Sequence, residues 1–152
     1  MGAIRVKKLF ITIFFLMSLV QVIGCSANRG VKTHDDVSDQ IYDVEKTWGI
    51  RIEGIRLSAA DYMLDFRYRV IDPVKAAPLF NRKTKPYLID QESGAKFMVP
   101  SPPKVGPLRT SDPPQADRTY FIMFGNPGKY VKKGNKVTVV IGDFRLEDLI
   151  VE

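Results

Sequence analysis

From Tyr62 to Ile71 the chain alternates with a period of two. Tyr62, Leu64, Phe66, Tyr68 and Val70 fall on one face, and Met63, Asp65, Arg67, Arg69 and Ile71 on the other. Only an extended strand places residues i, i+2 and i+4 on the same side. Five large apolar side chains in register are not left in water, so the first face is predicted to be core. Asp72-Pro73 ends this strand, because proline cannot donate to the ladder.

The same logic partitions the rest of the chain. Val37, Ile41, Val44 and Trp48 recur at helical spacing and predict a short helix over 36–47. From Trp48 the period becomes two, with Ile50 and Ile52, a bulge at Gly54, then Ile55 and Leu57. A connection over 74–85 carries Pro78 and room for one helical turn. Residues 86–90 and 95–99 flank Gln91-Glu92-Ser93-Gly94, a hairpin signal. Residues 100–117 hold six prolines and read as a stiffened loop. Residues 118–125 are apolar on both faces, which predicts a strand that is central or covered. Two more strands follow, over 136–141 and 144–151, separated by Gly142-Asp143. About seven strands broken by turn residues imply an all-β sandwich of immunoglobulin-like size, occupying 48–152.

The N-terminus is of another kind. Arg5, Lys7 and Lys8 precede an apolar run over 9–23, and Val22-Ile23-Gly24-Cys25-Ser26 follows. A charged stretch, a short apolar run and small residues form a secretory signal rather than a fold element. The run has 15 residues, fewer than the roughly 20 that span a bilayer as a helix, so an uncleaved anchor is the alternative. The Gly24-Cys25 step resembles a bacterial lipobox, with Val22 where that family favours leucine. The resemblance implies cleavage after residue 24 and a diacylglyceryl (palmitate-type) lipid on Cys25. It also implies anchoring to the cell envelope without a transmembrane helix; two or more acyl chains hold a protein stably where one does not. Ser26 in place of aspartate implies the periplasmic face of the outer membrane, if the source has one. Residues 26–36 then read as a tether within a lead-in over 25–47. The run Lys133–Asp143 resembles the late strands of bacterial envelope immunoglobulin-like domains, although the Cys–Trp–Cys core of antibody domains is missing. The chain is therefore similar to envelope lipoproteins carrying an immunoglobulin-like sandwich.

Charge and chemistry narrow the function. The leader holds three of the 23 Lys and Arg residues and none of the 17 acids, so removing it lowers the net charge from +6 to +3. A nucleic-acid reading loses its support there. With one cysteine, no disulfide can form within the chain. The single histidine, His34, lies in the lead-in, where a positioned catalytic base is not expected. The acid pairs Asp35/Asp36, Asp61/Asp65 and Glu147/Asp148 suit surface ion pairing better than acid–base work. No catalytic residue, metal or cofactor is expected. Met63, Met98 and Met123 are soft donors that could serve a Cu(I) carrier, or could simply fill core gaps. Lys129, Lys132, Lys133 and Lys136 form one basic patch, and Arg82, Lys83 and Lys85 another.

The reading that follows is a non-enzymatic binding or scaffold module for another envelope protein. The contact would come from Val105, Leu108 and Arg109 in the proline-rich loop and from Lys129, Lys132 and Lys133, because stiff loops lose little entropy on binding. A small-ligand or Cu(I) carrier and an envelope enzyme are the alternatives.

Overall fold

The computed structural model describes the chain from residue 34, with side chains from residue 40. The leader, Cys25 and the tether up to residue 33 lie outside the described residues. Helix α1 (His34–Trp48) leads into β1 (Ile50–Ser58) and β2 (Met63–Val70). Next come the single turn α2 (Pro73–Ala76) and a 3-10 turn (Ala77–Phe80). Strands β3 (Tyr87–Asp90), β4 (Lys96–Met98), β5 (Thr119–Gly125), β6 (Lys136–Ile141) and β7 (Phe144–Ile150) complete the chain. The strands form two antiparallel sheets, ordered β1-β2-β5 and β4-β3-β6-β7. This is an all-β sandwich of three strands against four; β4 pairs with β3 rather than joining the β1-β2-β5 sheet, as the fourth strand does in a constant-type immunoglobulin domain.

The core follows from the register. Ile55, Phe66 and Ile122 align across one sheet, as do Leu57, Leu64 and Phe124. Phe97, Leu88, Val139 and Leu146 align across the other. All of these are buried except Leu57, which is half-buried. The face beginning at Leu64 is core as predicted, but Tyr62 precedes the strand and is 55 % exposed. Its turn explains why: Ala59, Ala60 and Asp61 all have positive φ, and this left-handed step swings Tyr62 out of register. The predicted bulge is present, with Gly54 at φ +130 where the β1–β2 register shifts.

The helix is longer than its apolar stripe implied and begins inside the predicted tether. Val44 is buried, and the Trp48 ring meets Phe144 edge-on at 5.6 Å. Trp48 therefore ends the helix rather than opening β1. Gly49 (φ +61) makes the exit: its carbonyl accepts from the amides of Ile71 and Asp72, and a Cβ there would sit 2.7 Å from Asp72. Bidentate Arg51–Glu45 hydrogen bonds of 3.0 and 2.8 Å tie the helix to β1. The helix and sandwich belong to one compact unit. Among the described residues no helix is long and apolar enough to cross a membrane.

Candidate functional site: a cleft on the β4–β5 flank

Between β4 and β5 the chain must cross from one sheet to the other, and the proline-rich loop makes that crossing. The Leu108 amide donates to the Pro100 carbonyl (2.9 Å), closing a small loop. Within it the amides of Val105 and Gly106 both donate to Pro102. This leaves Val105 at the tip, 72 % exposed. The chain then runs beside β5: the Met123 amide donates to Leu108, Thr110 donates to Phe121, and Arg109 forms a bridge with Ile122. So β5 is not central. Its free edge is covered by this short pairing, and its outward Phe121 stays 41 % exposed.

Arg109 holds the crossing in place. Its Nη2 donates to the Asn81 carbonyl (2.8 Å), its Nη1 to the Thr84 carbonyl (3.2 Å), and its Nε to Ser111 Oγ (3.3 Å). One guanidinium thus fastens the 81–84 turn to the 109–111 segment. The residue is only 9 % exposed, and burial lowers its pKa, partly offset by the Tyr68 phenol. Tyr68 packs in an aromatic cluster with Phe66, Phe80 and Tyr120. Burial pushes its phenol well above the usual range, with Arg109 pulling the other way.

The result is an open cleft of about 940 Å³. Apolar surface comes from Pro86, Met98, Val99, Val105 and Pro107. Charge comes from Arg82, Lys85 and Arg109 against a single acid, Asp112. Arg82 and Asp112 approach to 3.9 Å, both largely exposed. Hydroxyls of Thr84, Ser101, Thr110 and Ser111 complete the wall. Such a surface can hold an apolar body and an anionic group together.

The structure brings together features that the sequence kept apart. Val105 and Arg109 share the cleft with Arg82, Lys85 and Met98. Leu108 is half-buried beside β5 and does not line the cleft. Arg109 is a buried clamp as well as a wall residue. Thr84, Val99, Ser111 and Asp112 carried no sequence signal. Lys129, Lys132 and Lys133 lie elsewhere, before β6. Lys129 sits 4.0 Å from Asp61 and 5.0 Å from the Tyr62 ring centroid, while Lys132 and Lys133 are exposed.

The methionines do not converge as a trio. Met63 and Met123 flank Asp65 on the outer face of the three-stranded sheet, where Asp65 pairs directly with Met123. The Asp65 Oδ2 is held by Arg67 at 2.9 Å and Arg56 at 3.2 Å, and two guanidiniums this close repel a metal cation, while its buried Oδ1 has no hydrogen-bond partner among the described residues. Met98 lies in the cleft instead. Among the described residues no group of three or more His, Cys, Asp or Glu side chains is placed to hold a metal ion.

Comparison with protein-family models, with curated proteins and with solved structures finds no match.

Proposed function

We propose that this chain is a lipid-anchored protein of the cell envelope whose sandwich docks another envelope protein through the β4–β5 cleft, without catalysing a reaction. The cleft carries the reading. It places an exposed apolar loop tip, a greasy floor and an excess of positive charge on a rigid two-sheet frame, the composition of a recognition surface. The lipobox-like Gly24-Cys25 step supports the anchor and the export that goes with it. A small-ligand carrier is the second reading, favoured by a cleft volume within the range of small-molecule sites.

Two measurements test the reading. Palmitate labelling of wild type and Cys25→Ala in the native host should mark only the wild type, and only the mutant should leave the membrane fraction. Labelling of neither, with both retained on membranes, would make residues 9–23 an uncleaved anchor. Val105→Ser should abolish co-purification of the partner from solubilised native membranes while leaving the urea midpoint unchanged. Undiminished co-purification would move docking away from the cleft.

A further inference from the structure

Among the described residues Arg109 has no acidic partner: its three hydrogen bonds all go to neutral oxygens, two backbone carbonyls and a serine hydroxyl. Among the described residues each terminal nitrogen has one acceptor, the Thr84 carbonyl for Nη1 and the Asn81 carbonyl for Nη2. A cation so nearly buried loses hydration that neutral acceptors replace only in part, and a neighbouring anion would replace it far better. The rest of the cleft repeats this imbalance. Lys85 is exposed on the rim and makes no ion pair among the described residues, and Asp112 is already engaged with Arg82.

The anion must also have an apolar body. An inorganic anion against Arg109 and Lys85 would leave Val99, Val105, Met98 and the two prolines bare. Nor does a free amphiphile fit well, since small ligands bury most of their surface in enclosed sites and this cleft is open. An extended chain segment held by its parent protein meets both conditions, because only one of its sides needs cover.

We propose that the cleft recognises a carboxylate side chain set between apolar residues on an extended segment of the docked partner, with Arg109 and Lys85 on the carboxylate and Val99, Val105 and Pro107 on its neighbours. This rests on the docking reading and adds the chemistry of the partner. The guanidinium fork gives direction to the carboxylate, while Lys85 adds a mobile point charge at the rim.

The test uses the full chain in nanodiscs and two fluorescein-labelled, amide-capped pentapeptides, Leu-Val-Glu-Leu-Val and Leu-Val-Gln-Leu-Val, followed by fluorescence anisotropy. The expected result is that the glutamate peptide binds at least about tenfold more tightly, as befits a charge-assisted contact. Lys85→Gln should weaken it by roughly fivefold, the scale of an exposed ion pair. Arg109→Lys should weaken it further while its thermal melt remains cooperative. Lys132→Gln with Lys133→Gln should change nothing.

Equal affinity for the two peptides would overturn the carboxylate assignment and leave the docking reading standing. No binding of either peptide up to about 1 mM, the weak limit of useful affinity, would overturn it as well. A loss of binding on changing Lys132 and Lys133 but not Lys85 would place the site elsewhere. Displacement of the labelled peptide by decanoate at a lower concentration than by unlabelled peptide would assign the cleft to a free amphiphilic acid instead.

Discussion

On the β1–β7 flank the two sheets are joined by main chain. Ile55 and Val151 form a parallel bridge, the Leu57 amide donates to the Glu152 carbonyl, and the Glu152 amide donates back to Ile55. Val151 is buried beneath this seam. On the β4–β5 flank the sheets are spanned by a long loop, and the side chain of Arg109 fastens that loop to the 81–84 turn. The seam holds the two sheets within backbone hydrogen-bonding distance, whereas the side-chain strut forms one wall of a cleft. The comparison explains why the proposed docking uses the clamped flank: the strut lines the cleft and brings to it a cation without an acidic partner among the described residues.

The largest expected effect comes from cutting the seam. Deleting Val151 and Glu152 removes a buried side chain and several backbone hydrogen bonds, and should cost about 3–4 kcal/mol. A fall in the urea midpoint at unchanged slope would register it. Arg109→Ala should cost somewhat less, about 2–3 kcal/mol, for three charge-assisted bonds to groups that water can partly reach once the loop loosens. Amide hydrogen exchange separates the two variants: loss of the clamp should speed exchange at Thr84, Val105 and Gly106 while Glu152 stays protected. If Glu152 lost protection equally, the flanks would not be independent.

A pH titration reaches the clamped flank from beneath. The Tyr68 phenol is raised above its unfolded value near 10, so stability is full below that pH and falls as the pH rises past it, while the folded phenol keeps its proton. Tyr68→Phe should flatten the alkaline limb of the stability curve. An unchanged limb would mean that another group governs it. The smallest effect belongs to the loop tip: Val105→Ser should shift stability by less than about 0.5 kcal/mol, because the side chain touches mainly solvent.

Strand β2 was legible in the sequence because its alternation is uninterrupted, and the β1 bulge because only glycine accepts φ +130 there without strain. Helix α1 was read short: its first turn carries His34, Asp35 and Asp36, which have no place in an apolar stripe. Strand β5 misled for a physical reason. Its outward Phe121 and Met123 suggested a covered strand, yet they face Arg67 and Asp65 across the strand pair on a partly open sheet face. The exposed loop tip at Val105 was within reach of the sequence, since stiff proline-rich loops present their contents. The clamp was not. The carbonyls that Arg109 holds lie 28 and 25 residues upstream, at Asn81 and Thr84, and an arginine between Leu108 and Thr110 looks the same whether it points to water or to a distant carbonyl. The cleft was hidden for the same reason, because its walls come from segments with unrelated local patterns.

The most direct test compares the flanks in place. A photo-activated cross-linking side chain at Val105, on the cleft, and another at Ile150, exposed on β7, would be irradiated in native membranes. The expected result is one discrete adduct from Val105, diminished by Lys85→Gln, and none from Ile150. An adduct from Ile150 alone, or one from Val105 indifferent to Lys85→Gln, would contradict docking at the charged cleft.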